Sequence, residues 1–219
     1  MKIKNLFTIT IIASIAMSAV VFVTILMIVS SNNHLEHSLQ YELHAYQLAN
    51  EMIGSSEDLT SYIRMYAMTG DVSHRAAYNK VLDIRNGKTA NEEGIKKAFA
   101  DKVKDMQLTS EENNLILKSQ ELSNELAVLE TEVMNFIDSY LTLHPRANLG
   151  ESTDPEVLYQ QGRLFSSEYT VHTDAIMKPV ADFERALFDR AEVEKIDAEK
   201  QADSATTIGL IVLSVFIIY

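Results

Sequence analysis

The chain has no cysteine and no tryptophan, and only three prolines and seven glycines among its 219 residues. Without cysteine there can be no disulfide, no thiolate metal ligand and no thiol nucleophile. Whatever folds here is held by its apolar core. The scarcity of proline and glycine, with almost no alternating apolar/polar stretches, leaves long helices as the expected element. Enzyme signatures are missing too: the sequence contains no GxxxxGK[ST] loop, no GxSxG and no HExxH. The region is therefore expected to be no enzyme, with no catalytic residue, no cofactor and no metal. His34 and His37, one helical turn apart, come nearest to a metal pair but lack supporting ligands at a suitable spacing.

Charge is absent from two stretches. Leu6 to Val29 is an uncharged, mostly apolar run of 24 residues, long enough as a helix to cross a bilayer core of about 30 Å. It is too long for the apolar region of a signal peptide, which is about 7–15 residues. A membrane helix is expected at 6–29, with residues 1–5 as a cytoplasmic N-terminus. Lys2 and Lys4 precede the run and no acid does, which places that end inside the cell. Residues 206–219 form a second such run of 14 residues, short of the about 20 that a span requires. A truncated second membrane helix is expected there, with a cytoplasmic part beyond it.

The 176 residues from 30 to 205 hold all 31 acids and 17 of the 19 basic residues, a net −14. Such a surface excludes nucleic acid as a partner and makes local basic spots conspicuous. This stretch is expected to be an outer domain large enough for one core.

Helix boundaries are written locally. Thr109-Ser110-Glu111-Glu112 is a capping box, opening a helix that runs to about Leu143. Leu115, Leu122, Leu129 and Phe136 repeat at heptad spacing, as do Leu126, Val133 and Tyr140, and both rows are expected in the packing seam. The first outer helix continues from the membrane run to about Thr69. It carries two apolar stripes: Leu35, Leu39, Tyr46, Ala49, Ile53, Ile63 and Ala67, and Leu48, Met52, Leu59, Tyr62 and Tyr66. Either the second stripe meets another subunit, or the two merge into one wide core-facing stripe. Asp71 or Ser73 caps a helix ending at Gly87, Asn91 caps a further piece to about Lys104, and Asp154-Pro155 opens a short helix. A last helix from Ser166-Ser167 carries Tyr169, Ile176, Val180, Phe183 and Leu187, with Pro179 inside it. The expected fold is all-α. It is a membrane-anchored antiparallel four-helix bundle, up-down-up-down, with the second helix broken and two transmembrane helices flanking it.

In so acidic a domain Arg64, Arg75 and Arg85 are candidate anchors for an anion, because guanidinium grips carboxylate in a bidentate fork. Pairing with acids of neighbouring helices is the competing explanation for each.

The block LTSYIRMYAMTGDVSHRAAYNKVLDIRNGK (59–88) resembles one in the N-terminal sensory region of two-span bacterial receptors, the methyl-accepting chemotaxis proteins and sensor histidine kinases. The words that carry it are Arg64, Tyr66, Thr69-Gly70-Asp71, Tyr78 and Ile84-Arg85-Asn86-Gly87. Residues 108–136, Glu168-Tyr169 and Ile176-Met177-Lys178-Pro179 are similar as well. The resemblance implies a signal receptor in the bacterial inner membrane, its sensor domain in the periplasm and its output in a cytoplasmic kinase, cyclase or chemotaxis module. It implies a homodimer, and a small anionic ligand or a ligand-loaded periplasmic protein as partner. Ligand contacts are expected at Arg64, Tyr66, Arg75, Tyr78, Arg85 and Tyr169. The alternative is a helical membrane tether or assembly factor, with the same spans and no pocket.

Overall fold

The computed structural model describes the backbone of residues 3–218; the side chains at 3–6, 34, 37, 212, 213 and 215–218 are not described. Expectations resting on Lys2, Lys4, His34, His37 and the last residues of the second apolar run lie outside the described residues. All regular structure described is helical: α1 (Ile3–Thr69), α2 (Val72–Arg85), α3 (Phe99–Asp105), α4 (Ser110–Leu143), a 3-10 turn (Leu149–Glu151), α5 (Pro155–Leu164) and α6 (Ser167–Ile218). A lone bridge joins Asn86 to Ala98.

Most boundaries follow local chemistry. Asp71 caps α2 by accepting from the Ser73 N–H at 2.9 Å, a bond that also holds its carboxyl below the usual range. Thr109 and Glu112 close the capping box at α4. Asp154 accepts from the Glu156 N–H, and Pro155 takes the first turn of α5, where no N–H is needed. The expectation at Asn91 is corrected. Its side chain accepts from the Ile95 N–H and its own N–H donates to the Ile95 carbonyl, which closes a turn. The next helix starts only at Phe99, after the Asn86–Ala98 bridge has fixed the chain. Asparagine serves turns as readily as caps.

The chain forms two compact units. The first comprises Met1–His44 and Phe188–Tyr219, the second Ala45–Leu187. In the first unit α1 and α6 close on each other. Ser31 Oγ donates to the Ala198 carbonyl at 3.2 Å, Ser38 hydrogen-bonds Glu194, and the Arg190 guanidinium lies 4.3 Å from the Tyr41 ring centroid. Gly209 sits against Thr24, and a Cβ there would meet the Thr24 methyl at 3.4 Å. Residues 30–44 and 188–205, expected within the outer domain, belong to this pair. Among the described residues α1 is the helix long and apolar enough to cross a membrane. The run at 206–219 is helical through Ile218.

The second unit holds the core. From α1 come Ala45, Leu48, Ala49, Met52, Leu59, Ile63, Tyr66 and Ala67, all buried. The two stripes of α1 thus merge into one wide face within this chain, and Leu48, Met52, Leu59 and Tyr66 are not left for a second subunit. From α6 come Tyr169, Ile176, Val180, Phe183 and Leu187, as their spacing predicts. Helix α6 runs unbroken through Pro179, whose ring removes the donor for the Ala175 carbonyl. The Ile176 carbonyl in the same turn accepts from Ser119 Oγ at 2.8 Å.

Helix α4 departs from expectation. Leu115, Leu122, Leu129 and Phe136 are only half-buried. The buried rows are Glu112, Ser119, Leu126, Val133 and Ile116, Ser123, Glu130, Ile137. The row of Leu126 and Val133 is buried as expected, whereas the other row is displaced by one residue, because Ser123 and Glu130 occupy positions that an apolar tally assigns to solvent.

Candidate functional site

Glu130 lies at the centre of the unit, 2 % exposed. A lone carboxylate there would be costly to bury. It accepts from Tyr78 Oη at 2.7 Å and from Tyr169 Oη, so α2, α4 and α6 meet on one side chain. Tyr169 Oη also bonds Thr60 Oγ1 of α1 at 3.2 Å. Burial raises the Glu130 pKa above the usual carboxyl range, against the two tyrosine hydrogen bonds and the charges of Arg85 and Arg64. Burial likewise raises both phenols, so they remain donors at any physiological pH.

Arg85, also 2 % exposed, closes α2 two turns of α4 away from Glu130. Among the described residues it touches no carboxylate. Its NH1 donates to Ser123 Oγ at 2.7 Å and its NH2 to Ser55 Oγ at 2.8 Å and Ser56 Oγ at 3.2 Å, with Nε to Ser55 at 3.2 Å. Burial pushes its pKa down to about 10. Glu130 and Arg85 are thus a charge pair held apart, each wrapped in hydroxyls. The hydroxyls satisfy geometry while the opposite charge supplies the long-range balance.

A second carboxylate, Asp138, takes the Tyr66 hydroxyl and the Arg75 guanidinium, the latter at 2.7 Å. For Arg75 the acid of a neighbouring helix is the partner. Arg75 and Asp138 are 42 % and 29 % exposed, so this pair is screened by water. Arg75→Ala is expected to lower stability by less than about 1 kcal/mol, read as a small shift in the thermal midpoint of the full chain in detergent.

Arg64 is different. Its Nε donates to the Leu164 carbonyl at 3.0 Å, at the end of α5. Its guanidinium carbon lies 5.1 Å from the Phe165 ring centroid and 5.0 Å from that of Tyr169. Two rings and one carbonyl therefore fix the side chain without neutralising it. Among the described residues its terminal nitrogens meet no acceptor. Arg64 lines a cleft of about 480 Å³ between α1 and α6, together with Ser56, Glu57, Thr60, Asp174 and Met177.

Comparison of the chain with protein families, with curated proteins and with solved structures found no match in any of the three.

The six expected contact residues therefore do not converge on one cavity. Tyr78 and Tyr169 meet at Glu130, Tyr66 and Arg75 meet at Asp138, Arg85 sits in its cage of serines, and Arg64 alone faces the cleft. Tyr169 serves it from behind, as a ring under the guanidinium. Unanticipated from the sequence were Glu130, Ser56 and Ser123 in the core, half-buried Asp138 and Ser55 beside it, and Glu57 and Asp174 at the cleft. One signal was present: Ser123 and Glu130 are seven residues apart, a heptad repeat of polar residues inside an apolar helix.

Proposed function

We propose that the second unit is the ligand-sensing outer domain of a bacterial transmembrane signal receptor, of chemoreceptor or sensor-kinase type. In this reading it is a four-helix bundle with α2 and α3 as the broken second helix. The observation that carries the proposal is Arg64: a cation fixed by two rings, with no acid paired to it among the described residues, and lining a cleft built by α1 and α6. Arg75 ends on an acid and Arg85 on three serine hydroxyls, whereas the Arg64 guanidinium is held by two rings and one carbonyl. A guanidinium held ready and left open suits a ligand that brings its own carboxylate. The cleft volume lies in the range of small-molecule sites, about 300–1,000 Å³.

The same two helices supply the output route. α1 contains the membrane-length segment and α6 runs on to Ile218. A ligand seated between them favours whichever packing of the pair fits it best, and a shift of about 1–2 Å is enough for such switches. Differential affinity for the two packings is required, or nothing is transmitted. Ser56 offers a second link, since it borders the cleft and is bonded to Arg85 and, at 3.1 Å, to Ser123 of α4.

Because the chain has no cysteine, the proposal can be tested by engineered cross-linking. Ser31→Cys with Ala198→Cys places two thiols where α1 and α6 touch. In membrane vesicles a panel of small carboxylates and amino acids is expected to change the rate of disulfide formation, and Arg64→Met to abolish the change. A rate indifferent to every compound, with the pair still forming, favours the tether.

A further inference from the structure

The cleft has two ends of opposite charge. Arg64 marks one. Glu57 precedes it by seven residues, two turns along the same face of α1, or about 10 Å. That separation is beyond the three- and four-residue spacings at which helix side chains pair. Asp174 of α6 joins Glu57 at the other end. The cross-links of α4 fix the level: Ser123 bonds Ser56, Ser119 bonds the Ile176 carbonyl, and Glu130 bonds Tyr169. Helix α6 therefore descends from Tyr169 to Ile176 as α1 runs back from Thr60 toward Ser56, and Asp174 comes level with Glu57. Both carboxylates are exposed at the rim, and among the described residues neither makes an ion pair or hydrogen bond. Thr60 lies between the ends, and the half-buried Met65, next to Arg64, and Met177, one turn beyond Asp174, also line the cleft.

This pattern restricts the ligand more than Arg64 alone does. One cation against two acids gives the cleft a net charge of −1, so a simple anion meets two like charges for its one partner. A molecule with a carboxylate at one end and an ammonium at the other satisfies both. An α-amino acid carries its charges on adjacent carbons and cannot span the distance. We propose that the cleft takes an ω-amino acid, its carboxylate on Arg64, its ammonium between Glu57 and Asp174, and its methylenes against Met65 and Met177. The thioethers supply a polarizable wall that adapts to a flexible chain. The inference rests on the sensor reading above and names the ligand class for that site.

The test is direct binding to the full chain in detergent, by calorimetry, with δ-aminovalerate and γ-aminobutyrate as probes. Valerate, butylamine and alanine carry one charged end each or both on neighbouring atoms. The ω-amino acids are expected to bind at least tenfold more tightly than any of these. Glu57→Gln with Asp174→Asn, both at exposed positions, is expected to weaken δ-aminovalerate about tenfold or more and to strengthen valerate, because the repulsion is gone. Arg64→Met is expected to remove both. Equal or tighter binding of valerate or alanine by the unaltered chain overturns the inference and leaves the sensor reading standing. The absence of any binding overturns both. Binding of δ-aminovalerate with an unchanged 31–198 disulfide rate upholds the ligand class and sinks the signalling role.

Discussion

Replacing Glu130 by alanine is expected to destabilise the protein by about 3–5 kcal/mol, among the larger losses a single substitution causes. The substitution takes the carboxylate acceptor from two buried phenol hydroxyls, Tyr78 and Tyr169, and leaves Tyr169 only its Thr60 contact. An unsatisfied buried donor costs about 1–3 kcal/mol. It also removes the negative charge that balances Arg85, itself buried among serines. Glu130→Gln keeps the shape and one accepting oxygen, and is expected to cost clearly less than alanine. Urea unfolding of the full chain in detergent, followed by tyrosine fluorescence, measures the difference. With no tryptophan in the chain, tyrosine supplies the signal. Equal losses for Ala and Gln would mean that the oxygen acceptor is not what holds the three helices together.

The same residue sets a pH dependence. Its folded pKa is raised above the ordinary 4.5. The folded state therefore binds the proton more tightly than the unfolded chain does. Stability from this group is fully present below the ordinary carboxyl pKa and is lost as pH rises through the raised one. The groups facing it are Tyr78 of α2, Tyr169 of α6, Arg85 of α2 and Arg64 of α1. The tyrosines stay protonated and Arg85 stays charged across that window. Exposed acids with lowered values, Asp71 and Asp182, act with the opposite sign, losing stability as pH falls. They are common to wild type and Glu130→Gln, so the difference between the two isolates Glu130. Wild type is expected to lose ground to the variant as pH rises from 4.5.

These polar contacts mark the limit of what the sequence discloses. Caps are legible because their donors and acceptors lie within three residues: Asp71 with Ser73, Thr109 with Glu112, Asp154 with Glu156. The heptad of α4 is legible because leucines repeat. The full extent and placement of its two rows are not, since they turn on Glu112, Ser119, Ser123 and Glu130. Three of these find partners 38 to 67 residues away: Glu130 at Tyr169 and Tyr78, Ser119 at the Ile176 carbonyl, and Ser123 at Arg85 and Ser56. A buried glutamate is prohibitive alone and acceptable with two tyrosines and a distant arginine, and only the folded chain brings those together. The arginines show the same limit. Nothing adjacent to Arg64, Arg75 or Arg85 tells which meets an acid, which meets hydroxyls and which faces a cleft.

Gly87→Ala is the second substitution with a large expected effect, and it acts on Arg85 through the backbone. Gly87 follows α2 at φ +69°, a left-handed conformation that costs a residue with Cβ about 1–2 kcal/mol. A Cβ there would lie 2.4 Å from the Ala98 nitrogen and 2.9 Å from the Lys97 carbonyl carbon. Those atoms are backbone and cannot rotate aside. Relieving the overlap separates Asn86 from Ala98, the bridge that presses the loop before α3 against the end of α2. Arg85 is the residue before that bridge, and Phe99, fully buried, follows it. The overlap therefore adds an overpacking term of about 1–3 kcal/mol, for a total of about 2–5 kcal/mol. Gly94 supplies the control. Its φ of +78° is as unfavourable for alanine, but nothing lies within 4 Å of a Cβ there. Gly94→Ala is expected to cost only the conformational part, about 1–2 kcal/mol. If both variants lose the same stability in urea, close packing of the loop on α2 contributes nothing. If Gly87→Ala loses more, the excess measures how firmly that loop holds the buried guanidinium in its cage of serines.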